Sequence, residues 1–251
     1  GLEADVLLEP ARRDSGPAIA AGAAFAHGRD RDAIVLALAA DHVVGDVPAF
    51  LAACREGLTV AAEGRIVTFG VRPERPATEY GYISPGEAIS GEVRAVAKFV
   101  EKPDPATAAS YISAGYLWNS GNFMFRASVL LDEYRKVDPQ SVQSVAEAVG
   151  RAGRDLGFVT LEQEAFGSAK AISIDYAVME KTSLAAVVPV ACGWSDVGSW
   201  HAVWELSQKD EQGNAAQGTA VFEDSRNCNV STDRALVALE GVDDLVVIAT
   251  Q

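Results

Sequence analysis

The chain has 251 residues, of which 49% are hydrophobic and 22% charged, and a net charge of −14 from 35 acidic and 21 basic residues. This length suits one large α/β domain, or one domain with a small appendage. An acidic chain without a basic stripe argues against binding the backbone of a nucleic acid polymer, and no apolar run approaches the roughly 20 residues of a membrane helix.

A small phosphorylated ligand stays admissible, because a bound divalent cation inverts the local charge. The three cysteines, Cys54, Cys192 and Cys228, are far apart and odd in number. With only three histidines as well, no zinc spacing exists. No basic segment leads into an apolar core, so no signal peptide is visible. A reducing, cytoplasmic setting fits best. The chain starts at Gly1 and stops at Gln251 next to strand-like segments, which predicts a part of a longer protein.

In chain order, "ADVLLEP" (4–10) reads as a short buried strand closed by proline. "DSGPAIAAGAAFAHG" (14–28) reads as a helix with Asp14 or Ser15 as N-cap, Pro17 in its first turn and Gly28 as terminator. "DAIVLALAADHVV" (32–44) is a continuous apolar run that predicts a central parallel strand covered on both faces. A helix over 47–64 and a strand over 65–73 follow. This alternation indicates βαβ units and a Rossmann-like, doubly wound sheet.

From Tyr80 the rhythm changes. "YGYISPGEAISGEVRAVAKFVEKP" (80–103) carries two turn signals and predicts an antiparallel insertion or edge. A helix capped by Asp104 comes next, then "YLWNSGNFMF" (116–125), a strand interrupted at Asn119-Ser120-Gly121. Helical patterns run over 128–137 and 141–153. A short helix at 173–182 has Asp175 as its expected N-cap. "LAAVVPVACGWSDVGSW" (184–200) is an apolar strand ending in a polar turn before another helix. The segment 210–251 is a series of short β-prone pieces between Gly, Asn and Asp turns, without a convincing repeat. Two divisions follow: a main α/β domain over 1–209 and the beginning of a small β appendage over 210–251.

Ligands of open α/β sheets bind beyond the carboxyl ends of the strands. Glu9, Asp41, the pair Glu101-Lys102 and Asp196 each follow a predicted strand. Any one of them alone is more simply a cap, a turn former or a solvated strand end; several on one edge favour a site. Asp41 and Asp196 suit Mg²⁺, which takes one or two carboxylates with waters and substrate phosphate. Glu9, with Arg12 and Arg13 before a helix N-terminus, offers an acceptor for a base edge and donors for an anion. Period-2 geometry sets Glu101 and Lys102 on opposite faces, so they are not expected to pair with each other. With Asn119, they form a donor and acceptor set for sugar hydroxyls and a sugar phosphate.

The order of "LAADHVV", "VTFGVRPERPATEYGYI", "FVEKPD", "YLWNSGNFMF", "ISIDYAVMEK" and "GWSDVGSW" resembles the bacterial mannose-1-phosphate guanylyltransferases of the nucleotide-sugar pyrophosphorylase superfamily. The resemblance implies the mixed-sheet fold of nucleotide-diphospho-sugar transferases. It also implies synthesis of GDP-mannose and pyrophosphate from GTP and mannose 1-phosphate. Asp41 and Asp196 then match the Mg²⁺ pair, and Lys102 serves catalysis by offsetting charge on the sugar phosphate. Glu101, Lys102, Asn119 and the backbone at Gly81 match the sugar-phosphate pocket. Glu9, Arg13, Asp14 and Ser15 match the element that lies against guanine, with Asp14, Ser15 and Gly16 standing where the family has Asn, Thr and Ala. Family members also carry a Gly-Thr-Arg-Leu-Trp-Pro loop and a Pro-Lys-Gln element, and neither occurs here. The fragment alone is therefore expected to be catalytically incomplete, and assembly as a homodimer is left open. Two other readings stand beside this one: a pyrophosphorylase for another sugar and base, and a non-catalytic module that binds sugar nucleotides.

Overall fold

A computed structural model describes residues 4–250. The expectation that both chain ends are cut falls on Gly1 and Gln251, which lie outside the described residues. The chain divides into two compact units. One comprises Gly1–Ala40 with Val44–Trp194, the other Asp41–Val43 with Ser195–Gln251.

The elements run as follows through the larger unit. β1 (Val6–Leu8), α1 (Ser15–Arg29), β2 (Ile34–Ala37), β3 (Val43–Val44), α2 (Val47–Ala62) and β4 (Ile66–Val71) open the chain. β5 (Tyr82–Ser90) and β6 (Val93–Val100) form a hairpin, followed by α3 (Pro105–Ser113) and β7 (Leu117–Arg126). Next come α4 (Ala127–Val137), α5 (Pro139–Gly150), β8 (Gly153–Asp155), β9 (Phe158–Thr160) and α6 (Gln163–Ser168). A short π-helix, Asp175–Met179, precedes β10 (Ala185–Val190) and β11 (Trp194–Ser195).

The main sheet has the order β2-β7-β4-β10-β6-β5, and β5 also pairs with β7. β4 and β10 are parallel, while β7 runs antiparallel to both β2 and β4. Alternation along β4 sorts its buried side chains between two cores. Ile66 joins α1, α4, α5 and α6 on one face, while Val67, Phe69 and Val71 join α2 and α3 on the other. Both faces are covered, as a doubly wound sheet requires. α2, α3 and α5 each start with an aspartate cap and a proline in the first turn. Asp46 accepts from the Ala49 amide (2.9 Å), Asp104 from Thr107 (3.0 Å) and Asp138 from Ser141 (2.9 Å). Each cap is worth about 1 kcal/mol.

Several expectations need correction. β1 is not a buried strand of the main sheet. It pairs with β9 in a small sheet, β1-β9-β8, and Val6 and Leu8 face outward. β2 is an edge strand antiparallel to its neighbour, with Leu36 and Leu38 exposed; an apolar run does not by itself distinguish a centre from an edge. Gly28 does not end α1, which continues to Arg29 and is closed by the Asp30 amide donating to Ala26 O.

In the second unit, α7 (Trp200–Leu206) leads into five short strands: β12 (Ala215–Gln217), β13 (Ala220–Glu223), β14 (Asn229–Thr232), β15 (Val237–Glu240) and β16 (Val246–Ala249). β12, β14 and β16 stack in parallel, as do β13 and β15. Ala220 lies opposite Val237, and Asn229 opposite Val246, so the chain coils upon itself in successive turns. The repeat missed in the sequence is thus one of backbone, carried inside by dissimilar residues: Ala215, Cys228 and Val230. Buried Asn214 ties the turns together, donating to Ser225 O (2.9 Å) and accepting from the Cys228 amide (3.0 Å).

Candidate functional site

In the larger unit, the residues expected to form a sugar pocket meet because β5 is shared. Tyr82 lies opposite Val100 of β6 on one side and Trp118 of β7 on the other, while Trp118 in turn lies opposite Val71 of β4. The residues just outside this row are Gly81, Glu101 and Asn119. The Asn119 amide donates to Gly81 O (2.8 Å). A Cβ on Gly81 would displace the Glu101 carboxylate from its present place. β6 runs antiparallel to β10, so Glu101 does not reach this place by the parallel-strand rule. The hairpin brings it there.

Asn119 is buried within a continuous strand, and the predicted interruption is a register shift against β4 between Thr68 and Gly70, with Gly121 at φ 69°. Its carboxamide oxygen accepts from Thr68 Oγ1 (2.9 Å) and from the Gly121 amide (3.2 Å). Its Nδ2 donates to Asp175 Oδ1 (2.9 Å). Asp175 is therefore not the N-cap expected from the sequence. It occupies the first turn of the π-helix, which has no side-chain cap, and its carboxylate turns toward Asn119.

Glu101 and Lys102 do pair, contrary to the sequence expectation, with Lys102 Nζ 3.4 Å from Glu101 Oε1. β6 ends at Val100, and Lys102 has φ 48°, a left-handed conformation that cancels the alternation of the strand. The Glu101 side chain is 10% exposed and that of Lys102 59%. Burial pushes the Glu101 carboxyl up to about 6, the Asp175 charge adds to this, and the Lys102 ammonium works against it. Asp175 is raised as well, first by burial, with the Asn119 bond and Lys102 opposing.

The 9–16 segment leads into α1 in the same unit. Asp14 has φ 66° and caps α1 by accepting from the Ser15 amide (2.7 Å). Arg13 donates through Nε to Gly167 O (3.0 Å) and through Nη1 to Arg12 O (3.2 Å), so its guanidinium braces the loop. Ser15 Oγ accepts from the Ile174 amide (3.0 Å), and the Gly16 amide donates to Ile172 O (3.0 Å). A Cβ on Gly16 would lie 2.6 Å from Ile172 O, which requires glycine at this departure from the family pattern. Glu9 is exposed just after β1.

Asp41 and Asp196 both belong to the second unit. Asp41 lies two residues before β3 and Asp196 follows β11, and these two strands pair as a two-stranded ribbon. Neither aspartate caps a helix: α2 is capped by Asp46 and α7 by Ser199. The turn at Asp196 is held by the Gly198 amide donating to Asp196 Oδ1 (3.0 Å) and by the Val197 amide donating to Ser195 Oγ (3.1 Å). It forces Val197 to φ 52°, an uncommon conformation for a β-branched residue that the surrounding bonds must maintain. A Cβ on Gly198 would meet Asp196 Oδ2 at 2.6 Å. Among the described residues no group of three or more His, Cys, Asp or Glu can hold a metal. Two carboxylates still fit a hard cation that keeps waters and takes phosphate oxygens.

A family model described as nucleotidyl transferase matches residues 1–213. The chain belongs to the nucleotidyl transferase family. Among its relatives in that family, the mannose-1-phosphate guanylyltransferase of Escherichia coli strain K12 is 44% identical over 257 residues, covering 100% of this chain and 54% of its own length. The xanthan biosynthesis protein XanB of Xanthomonas campestris is 44% identical over 246 residues, covering 98% of this chain and 52% of its own length. The chain thus spans about half the length of these curated relatives. A crystal structure from Thermus thermophilus, described as a mannose-1-phosphate geranyltransferase, superposes with a TM-score of 0.85 at 36% identity, covering 97% of this chain and 70% of that one. The nucleotidyl transferase fold, with its mixed sheet, is therefore as expected.

Sequence reasoning missed two polar groups that this family member assembles around Asn119. Thr68 was legible as the single hydroxyl in the apolar strand "IVTFGV". Asp175 stands inside the motif "ISIDYAVMEK", but the sequence marks it only as a helix cap.

Proposed function

We propose that the intact protein transfers a guanylyl group from GTP to mannose 1-phosphate, yielding GDP-mannose and pyrophosphate in a Mg²⁺-dependent reaction. The observation that carries this reading is the meeting of Gly81, Glu101, Lys102 and Asn119 in one cluster, in a chain that matches, over its own length, about half the length of proteins named mannose-1-phosphate guanylyltransferase. Residues 1–209 hold the transfer machinery in this reading, and 210–251 begin a separate β-rich region.

A phosphate oxygen of mannose 1-phosphate attacks the α-phosphorus of GTP. The bond from that phosphorus to the bridging oxygen breaks, and pyrophosphate leaves in line. No covalent enzyme intermediate forms, so positioning and charge neutralisation carry the rate. Glu101, ionised, accepts from sugar hydroxyls, and Asn119 directs its carboxamide to the same sugar. Lys102, exposed and held beside Glu101, offsets the charge of the sugar phosphate. Glu9 accepts from the adjacent N–H donors of guanine, and Ser15 and Arg13 hold the segment between Glu9 and α1. Asp41 and Asp196 are the carboxylates for Mg²⁺, which when bound supplies a Lewis acid and template for phosphate oxygens.

The test is turnover of the intact protein with Mg²⁺, GTP and mannose 1-phosphate beside calorimetric binding of GDP-mannose. Asp41→Ala and Asp196→Ala should each lower kcat by about a hundredfold or more. Undiminished Mg²⁺-dependent turnover by Asp41→Ala would refute the metal assignment. Binding of GDP-mannose without pyrophosphate release by the unsubstituted protein would instead identify a binding module.

A further inference from the structure

We propose that Asp175 is a positioning residue for the sugar pocket, setting the carboxamide of Asn119 and tying it to the 13–16 segment on the nucleotide side. The inference rests on the reading of Asn119 as a sugar ligand, and it adds a residue that the motif comparison leaves without a role.

A primary amide has two acceptor sites on oxygen and two N–H donors. The oxygen of Asn119 receives two donors, from Thr68 Oγ1 and the Gly121 amide. Flipping the amide would turn its NH₂ group onto the Gly121 N–H, so the orientation is fixed. One Nδ2–H is then spent on Asp175 Oδ1, which sets the direction of the second. An ionised acceptor makes the stronger kind of hydrogen bond.

Asp175 is itself anchored. Three hydrogen bonds tie residues 172–174 to Arg13 and the first residues of α1: Ile172 amide to Arg13 O (3.2 Å), Gly16 amide to Ile172 O (3.0 Å) and Ile174 amide to Ser15 Oγ (3.0 Å). A displacement of the 13–16 segment is thus carried through one rigid turn to Asn119. The charged groups facing Asp175 are Lys102, Glu101 and Asp14. The Lys102 ammonium keeps a carboxylate tolerable among the two acids.

The experiment is a double-mutant cycle in the intact protein, with Asp175→Ala, Asp175→Asn, Asn119→Ala and Asp175→Ala combined with Asn119→Ala. Asp175→Ala should raise KM for mannose 1-phosphate about tenfold while KM for GTP stays within about twofold. Asp175→Asn keeps an acceptor and should stay within about threefold of the unsubstituted protein on both. The double variant should be no worse than Asn119→Ala alone, because a residue acting through another adds nothing once that other is gone. Additive losses, or an Asp175→Asn as damaging as Asp175→Ala, would overturn the proposal.

A second measurement needs neither turnover nor a variant that folds. With ¹⁵N-asparagine labelling, the Nδ2 proton of Asn119 that is bonded to Asp175 should exchange with solvent more slowly than its partner proton in the unsubstituted protein; equally rapid exchange of both would contradict the bond to Asp175. If the unsubstituted protein makes no GDP-mannose but this proton is protected, the functional reading fails and the Asp175–Asn119 contact stands.

Discussion

Lys102 decides how the end of β6 is used. Were it extended like the strand before it, its side chain and that of Glu101 would diverge; at φ 48° they converge. The motif "FVEKPD" announces the two charges but not this bend, because a left-handed lysine has no compositional mark. The same residues predict a pH dependence. Glu101 has its carboxyl raised from 4.5 to about 6, so folding favours its protonated form. Its stabilising share is complete below pH 4.5 and is lost as pH rises through 6. Glu101→Gln should therefore raise Tm above pH 7 and leave it unchanged near pH 4, an effect of about 1 kcal/mol after solvent screening. In activity the sign reverses: Glu101→Gln should cost about tenfold in kcat/KM for mannose 1-phosphate at pH 8, and the penalty should shrink below pH 6. A sugar phosphate takes up its own second proton near pH 6, so the ratio of the two proteins at each pH is the quantity to measure. A penalty constant from pH 5 to 8 would show that the ionisation of Glu101 is not what the substituted protein lacks.

At the scale of elements, β4 organises the molecule. Every residue of "IVTFGV" is buried, and its alternation sends Val67 and Phe69 toward α2 while Thr68 reaches across to Asn119. Gly70 has little room: a Cβ there would lie 2.6 Å from Leu117 Cδ1 and 2.7 Å from Val187 Cγ2. Gly70→Ala should therefore destabilise by about 1–3 kcal/mol through overpacking, measurable by urea unfolding with an unchanged m-value. Unaltered stability would mean that the side chains of β7 and β10 part easily around β4. Elements such as β4, α2 and the β5–β6 hairpin were legible because burial period, caps and turn residues agree there. The place of β2 at an edge and of β1 in a separate small sheet was not, since neither follows from local pattern. Both depend on which strands a distant part of the chain supplies.

At the scale of the whole molecule, net charge and function are in tension. A chain of charge −14 is proposed to receive two anionic substrates, and its site carries Glu101 and Asp175 beside a single lysine. A divalent cation is the chemistry that reverses such a sign around phosphates, which is why the proposed reaction includes Mg²⁺. Among the described residues no helix is long and apolar enough to cross a membrane. The sheet rule does not explain how the candidate residues gather: Glu101 follows a strand antiparallel to β10 and meets Asn119 through the shared strand β5. Gly81 and Gly198 were legible as motif letters, and the structure adds that a Cβ on either would displace a neighbouring carboxylate.

The most direct test is an initial-rate comparison of pyrophosphate release by the intact protein. GTP, UTP and dTTP would each be offered with mannose 1-phosphate and with glucose 1-phosphate, with Mg²⁺ present. The account predicts the highest kcat/KM for GTP with mannose 1-phosphate, by about tenfold or more over every other pair. An equal or higher value for a uridine or thymidine nucleotide, or for glucose 1-phosphate, would contradict it.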